Sequence, residues 1–475
     1  MLKKPQARLG QTIAAALIAA ALMPAAHAEE TGTIVGKEDW LYFRWERFDA
    51  SLMPEVDRFT DMLARAGRVM AANDVHVVFT VTPLKLQIYP QYLPADFGAA
   101  PGTESRNQRM VQALRAAGMT VADQLPAFQA EAAKGGEPLF LRLDSHWTPT
   151  GAMLAGQTIR KAIDADAKAS GVLASIPEAQ FAASPTGERE PSLTTDLLPT
   201  LPAGATPPPA ETVLRYTVQA LDAGSVDALT GESGVPQVTV IGSSFTHPGT
   251  QYPDAVRVAL QRQLLDISIP GRQGPFVGME NYTRDPAFQL HPPKLLIWEV
   301  PERDSVNPPD SPWRDAEYFR DSKEWLLNLA TAVSRNCATS PVAVQVSEAN
   351  LPDAQTRLAD GGVGYGPSNA DSYVQLDFAQ ALDTTDYLWA DVAIQGGGTV
   401  RFEATGAAGK AASWTMGLPE DGTPMALKTR LPADAKGARS LRIFPGAGEN
   451  FAIAQPAVCR HEASLIAGLP EGAKR

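Results

Sequence analysis

Val238-Thr239-Val240-Ile241-Gly242-Ser243-Ser244-Phe245 is the stretch on which the reading of the fold turns. Four apolar or β-branched residues in a row, with no polar alternation, describe a strand buried on both faces of a sheet. The glycine after them permits a sharp backbone turn. A serine on that turn sits at a strand's C-terminal end, where open α/β sheets place their ligands. Val75-His76-Val77-Val78-Phe79-Thr80-Val81 and Leu295 to Val300 are strand candidates of the same kind, with His76 reading as core. Before the first of them, Val56, Phe59, Met62, Leu63, Ala66, Val69 and Met70 recur at helical spacing. Asn107 to Ala117, Ala152 to Ile163, Asp254 to Leu265 and Lys323 to Ser334 are further helical stretches. The alternation predicts an α/β domain with a largely parallel sheet across residues 29–336.

Two regions break the pattern. From about Ala167 to Val213 the chain is rich in Pro, Thr, Ser and Gly and ends in Pro207-Pro208-Pro209. It reads either as a long surface insertion acting as a lid or partner loop, or as a disordered excursion. After Cys337 the helical period gives way to short alternating runs: Tyr373 to Phe378, Tyr387 to Val392, Thr399 to Phe402, Ser413 to Met416, Met425 to Lys428, Leu441 to Phe444 and Phe451 to Ile453. Such runs predict an all-β sandwich over residues 337–475. Cys337 and Cys459, the chain's two cysteines, stand at its two ends.

The N-terminus settles the expected compartment. Lys3, Lys4 and Arg8 precede an apolar run from Ile13 to Met23 and the small-residue site Ala26-His27-Ala28, which reads as a signal peptide (residues 1–28) cleaved after Ala28. The run is too short for a comfortable membrane span, and no later stretch reaches the roughly 20 apolar residues a span needs. In an oxidising compartment the two cysteines are expected to pair, and two thiols without further ligands do not make a zinc site. Closing a loop of this length stabilises by about 4 to 5 kcal/mol on the chain-entropy model. The formal charge is −12, and losing the leader's three cations lowers it to about −15. Nucleic acid is therefore an unfavourable partner, whereas an anionic polysaccharide needs only a local basic patch.

Leu143-Asp144-Ser145-His146-Trp147-Thr148-Pro149 carries the chemistry that Ser244 lacks. Thr148 is placed to cap a helix whose first turn begins at Pro149, so Asp144 and His146 lie just outside a helix N-terminus. A carboxylate that accepts one ring N–H of His146 leaves the other nitrogen free to act as a base. A serine, a base and an orienting carboxylate are what acyl transfer requires. His247 is a rival base, three residues from Ser244, but Pro248-Gly249 follows it and no carboxylate is near it in sequence. Gly242 would leave backbone N–H groups free to face an oxyanion.

These residues resemble a known family, the alginate O-acetyltransferases AlgX and AlgJ, whose catalytic domain is similar to the SGNH hydrolases. The resemblance rests on Gly36-Lys37-Glu38-Asp39-Trp40-Leu41-Tyr42, Thr82-Pro83-Leu84-Lys85 with Ile88-Tyr89-Pro90, and the Asp144 to Pro149 segment. It continues through Asp196-Leu197-Leu198, Gly242-Ser243-Ser244-Phe245 and Trp298-Glu299-Val300-Pro301-Glu302-Arg303, in the family's order. It implies an SGNH-like triad of Asp144, His146 and Ser244, circularly permuted relative to ordinary SGNH hydrolases, in which the serine comes first. The hydrolases' oxyanion Asn block and the second cysteine pair of AlgX-type members are not evident. Ser244 is preferred to Ser243 mainly on this resemblance. Lys85, Tyr89 and Arg303, within the matching pieces, are expected to contact substrate. The C-terminal β domain resembles the carbohydrate-binding module of AlgX, which AlgJ lacks.

In that module Tyr373, Trp389 and Trp414 are candidate sugar platforms, and Lys410, Lys428, Arg430, Lys436, Arg439 and Arg442 are candidate carboxylate partners. Residues 401–442 hold seven basic and four acidic side chains. Because strands bury alternate residues, each aromatic also reads as sandwich core. The expected activity is periplasmic O-acetylation of an anionic exopolysaccharide, alginate above others, beside export proteins, with no cofactor and no metal and with the acetyl donor open. An acetylesterase and a non-catalytic carbohydrate-binding scaffold are the competing readings.

Overall fold

The computed structural model describes residues 32–470 apart from 48, 96, 98–102, 222–234, 270, 272, 351–354, 358–362, 366–370, 396–397, 420–422 and 447–449. The signal peptide expected at residues 1–28 lies outside them.

Five strands form the central sheet: β1 His76–Thr82, β2 Thr120–Asp123, β3 Val238–Gly242, β4 Leu265–Ser268 and β5 Leu295–Pro301. Their spatial order is β2-β1-β5-β3-β4, and every pairing is parallel. Successive residues on a strand face opposite sides, and two separate cores follow from that. Val78, Val240, Leu295 and Ile297 pack on one side with the helices α1 Pro149–Ala165 and α2 Tyr252–Leu260. Val77, Phe79, Ile241, Leu296 and Trp298 pack on the other with residues 53–71, 274–284 and 322–333, all helical. Because both faces are covered there, the inner strands β1, β3 and β5 carry no polar alternation. The helix expected over Asp254 to Leu265 ends at Leu260, where Gln261 adopts φ 54°, and Leu265 opens β4. His76 begins β1 and is half-buried, with Nε2 3.0 Å from Thr120 Oγ1.

The Pro-rich insertion is ordered. Ala167–Ala174 is a helix, and Phe181–Pro191 pairs with Thr212–Ala220 as an antiparallel hairpin. The disordered reading is thus corrected. Hairpin ladders satisfy backbone groups without an apolar period, which is why this segment lacked a strand signal in the sequence.

Beyond residue 337 lie two five-stranded antiparallel sheets. One orders Val344–Asn350, Tyr373–Phe378, Ser440–Phe444, Thr399–Thr405 and Ala411–Gly417. The other orders Gln355–Arg357, Val363–Tyr365, Asn450–Arg460, Asp386–Gln395 and Met425–Thr429. Val374, Leu376, Phe402, Leu427, Ile443 and Ile453 fill the space between them. Val344–Asn350, Gln355–Arg357 and Val363–Tyr365 were not expected from the sequence. Cys337 and Cys459 form a disulfide with Cα atoms 5.2 Å apart, tying the start of this region to its last strand.

Candidate active site

Ser244 opens a short 3-10 turn immediately after β3. The turn is possible because Gly242 lacks a side chain: a Cβ there would lie 2.5 Å from Thr246 Cγ2 and 2.6 Å from Glu299 Cβ. Glu299, fully buried on β5, accepts from Ser243 N (2.8 Å), Ser243 Oγ (2.8 Å) and Thr82 Oγ1 (2.5 Å). Burial raises the Glu299 carboxyl above its ordinary range, and those donors pull it back. Ser243 is therefore occupied in shaping the turn, and Ser244 Oγ is the hydroxyl that faces His146. The N–H groups that Gly242 was expected to leave free are partly used: Ser243 N–H binds Glu299, and Phe245 N–H binds Ser243 Oγ at 3.2 Å.

His146 Nε2 lies 2.7 Å from Ser244 Oγ, and Nδ1 lies 2.6 Å from Asp144 Oδ1. Asp144 Oδ1 also accepts from His146 N (2.9 Å) and Oδ2 from Asp196 N (2.7 Å). Burial alone would raise the Asp144 carboxyl. The His146 hydrogen bond and charge, with the two backbone N–H donors, outweigh it and hold the group well below the usual carboxylate range. Two residues on, Thr148 caps α1 by accepting from Gly151 N at 3.2 Å, with Pro149 at the first helical position. Trp147 is buried against Tyr252 and Phe245, both with ring centroids 4.9 Å away, and anchors the loop between the two active-site segments.

Charged groups remote in sequence hold this loop. Glu211 accepts from Arg142 N and Leu143 N at 2.8 and 2.9 Å. Lys85, with no exposed surface, donates to the carbonyls of Leu41 (2.5 Å), Arg142 (2.9 Å) and Asp144 (3.1 Å). Burial lowers its ammonium to about 8. Asp196 returns the contact it receives: Oδ1 accepts from Ser145 N (2.7 Å) and Oδ2 from Ser145 Oγ (2.6 Å). Burial and the neighbouring Asp144 charge raise the Asp196 carboxyl. Asp144, His146 and Asp196 bring one ligand-type atom each within 4.8 Å of one another. The carboxylate oxygens of both acids already accept N–H or O–H donors, so the group is built as a hydrogen-bond relay.

The expected substrate contacts divide. Arg303 lies beside the site, with Nη1 3.0 Å from Ser145 Oγ and its guanidinium 5.0 Å from the Phe245 ring centroid. Lys85 and Tyr89 are corrections. Lys85 spends its donors on backbone, and Tyr89 is buried, its hydroxyl accepting from Leu139 N at 2.8 Å. In the C-terminal region Lys428 donates to the carbonyls of Ala332 and Ser334, and Arg430 to Asn328 Oδ1 and the Glu324 and Thr384 carbonyls. Both bind the 322–333 helix and its end, so they join the two regions of the chain and are not free carboxylate partners. Trp414 stacks on Phe402 at 5.4 Å and donates to Thr429 Oγ1, Trp389 lies under Lys428, and Lys410 pairs with Asp434 at 2.7 Å. His247 is exposed, and its Nδ1 accepts from Gly249 N at 3.0 Å.

A pocket of 320 Å³ opens beside the pair. Leu141, His146, Trp147 and Pro149 form one side, and Ser244, His247 and Thr250 another. Ser192, Leu193, Thr194, Val213 and Arg215 from the insertion complete its lining. Sequence reasoning gave no role to Glu211 or Glu299. A lone acid inside the apolar run Leu295 to Val300 is the signal by which Glu299 was findable.

A parallel three-layer α/β domain with Asp144, His146 and Ser244 converging at the strands' C-terminal ends defines an SGNH hydrolase-like protein. The chain belongs to the family described as SGNH hydrolase-like domain, acetyltransferase AlgX, whose model matches residues 33–302. It is 33% identical over 280 residues to the probable alginate O-acetylase AlgJ of Pseudomonas syringae pv. tomato, covering 57% of this chain and 68% of that one. To the AlgJ of Pseudomonas aeruginosa it is 28% identical over 289 residues, covering 58% and 71%. The structure resembles that of Pseudomonas aeruginosa AlgX with TM-score 0.55 and 17% identity over 91% of this chain and 95% of that one. The O-acetyltransferase domain of Pseudomonas putida AlgJ gives 0.52 and 22% over 63% and 99%. Those two likenesses show the fold. Among the described residues no helix is long and apolar enough to cross a membrane.

Proposed function

We propose that this protein is a periplasmic polysaccharide O-acetyltransferase that acetylates mannuronate hydroxyls of alginate through an acetyl-Ser244 intermediate. The observation that carries the reading is the continuous relay from Asp144 through His146 to Ser244 Oγ, at 2.6 and 2.7 Å. The relatives' names, alginate O-acetylase above all, support the substrate. In this reading residues 1–28 are the export signal, 29–336 the catalytic domain and 337–475 the carbohydrate-binding module, working beside export proteins.

His146 Nε2 takes the Ser244 proton as Oγ attacks the carbonyl carbon of an acetyl ester. The bond to the leaving group breaks, and that group departs with the proton from His146. A sugar hydroxyl then attacks the acetyl-serine carbonyl, His146 takes its proton, and the proton returns to Ser244 Oγ as the acyl bond breaks. Asp144 fixes the tautomer that leaves Nε2 unprotonated and stabilises the imidazolium.

The test uses the chain lacking residues 1–28, an acetyl-ester donor and polymannuronate oligomers, read by mass spectrometry. Wild type is expected to add acetyl groups to the oligomers, and Ser244→Ala to add none. Acetylation by both proteins, or by neither, overturns the proposal. Free acetate with unmodified oligomers makes the protein an esterase, and uronate binding without any acyl transfer makes it a scaffold. Ser243→Ala losing all ester turnover while Ser244→Ala retains it would reassign the nucleophile.

A further inference from the structure

The pocket beside Ser244 is built of materials that suit a sugar poorly. Its walls are mostly carbon, from Leu141, Trp147, Pro149, Leu193, Val213 and Ile269, with the hydroxyls of Ser192, Thr194, Thr250 and Ser268 set among them. A sugar ring brings hydroxyls, a uronate brings a carboxylate as well, and each polar group withdrawn from water without a partner costs free energy. Among the described residues Arg215 is the one permanently charged side chain lining the pocket, and its Nε already lies 3.6 Å from Glu190 Oε2. The size is also informative. At 320 Å³ the pocket lies in the range, about 300 to 1,000 Å³, that holds drug-sized ligands. The two carbons of an acetyl group leave most of it unfilled.

We propose that this pocket is the acyl-donor site and receives an aliphatic arm, several methylenes long, attached to the reacting carbonyl. The arm is the apolar part of the acetyl donor's leaving group, since the group left on Ser244 is acetyl. This rests on Ser244 as the nucleophile and names the donor chemistry of that same site. With the carbonyl carbon at Ser244 Oγ, the arm lies along Val213 and Leu141 and reaches Leu193 at the rim, which is 66% exposed. Filling the pocket removes that leucine from water together with the arm. The sugar acceptor follows once the donor's leaving group has gone, so the carbon walls need not bind it.

The test is ester turnover alone, without polymer, using the chain lacking residues 1–28. One series fixes the p-nitrophenyl leaving group and lengthens the acyl chain from acetyl to propionyl, butyryl and hexanoyl. The other fixes acetyl and lengthens an alkyl leaving group from methyl to butyl and hexyl, read by carboxylate release. Burial of each methylene is expected to raise kcat/KM about fourfold along the leaving-group series through four carbons, whereas the acyl series is expected to stay flat or fall. Val213→Phe fills the pocket and is expected to lower the butyl-to-methyl ratio at least fivefold. Leu193→Ser, at the exposed rim, is expected to lower it in the same direction. Flat or falling kcat/KM along the leaving-group series, a rise along the acyl series, or a leaving-group rise that survives both substitutions, overturns the proposal. Failure of polymer acetylation leaves this result standing, whereas loss of the ester reaction's dependence on Ser244 removes its basis.

Discussion

Asp144→Asn tests the relay where its geometry makes the sharpest demand. Asp144 accepts three N–H donors: His146 Nδ1 and His146 N on Oδ1, and Asp196 N on Oδ2. An asparagine has one acceptor oxygen. With that oxygen toward His146 it keeps two of the three bonds, and its amide then opposes the Asp196 N–H across 2.7 Å. The reverse orientation keeps one bond and forces His146 into the tautomer that protonates Nε2. Hydrogen-bond counting favours the first, so the tautomer survives and what is lost is the charge beside the imidazolium. Removing one partner of a buried, hydrogen-bonded charge pair costs about 3 to 5 kcal/mol, and in the transition state that is roughly a 10² to 10⁴-fold fall in kcat. The displaced Asp196 N–H adds a stability loss of about 1 to 3 kcal/mol. The wild-type carboxyl titrates below its unfolded value, so it stabilises above the ordinary aspartate range, and that contribution is lost as pH falls through the folded value. Asp144→Asn is therefore expected to flatten the acid side of a plot of Tm against pH. The assay is steady-state turnover of a chromogenic acetyl ester, with melting curves across the acid range. A variant within tenfold of wild-type kcat, or an unchanged acid limb, would refute the reasoning.

Lys85→Met leaves three backbone carbonyls without their donor, one of them on Asp144 itself. Steady-state kinetics should show kcat falling at least tenfold with oligomer KM little changed, whereas a raised KM with normal kcat would mean that Lys85 touches substrate. Gly242→Ala places a methyl 2.7 Å from Glu299 Oε2 and 2.5 Å from Thr246 Cγ2, so ester turnover and Tm should both drop. Wild-type turnover would show that the turn has room. His461, stacked on Tyr387 at 4.5 Å and bonded to Thr331 Oγ1, is pushed down to about 4, chiefly by burial and then by the Arg430 charge. The unfolded chain thus binds more protons between pH 6.5 and 4, and stability falls by about 3 kcal/mol as pH drops through that window. Tm measured for wild type and His461→Gln should converge toward pH 4, and parallel curves would contradict the assignment.

The sequence by itself determined the class of the fold. Val238 to Ile241 and Leu295 to Val300 are apolar at every position because both faces of their sheet are covered, and that demand is visible in one dimension. The same holds for the capped start of the helix at Thr148-Pro149 and for most of the alternating strands after residue 373. Asp144, His146 and Ser244 were legible as two separate motifs, linked by resemblance. Only the tertiary structure decided how close they come and which serine faces the histidine, because Ser243 and Ser244 differ in nothing local. Glu299, on a strand more than fifty residues away, engages one and leaves the other. Lys85, Tyr89, Lys428 and Arg430 show the converse: a cation or hydroxyl in a promising motif is indistinguishable, by type, from one satisfied by buried backbone. Likewise the insertion's hairpin and its Asp196 contact are held by ladder bonds and one carboxylate. Such interactions join residues about twenty to fifty positions apart and leave no period in the chain to read, so only the folded protein reveals that this loop lines the pocket and braces the Asp144 carboxylate.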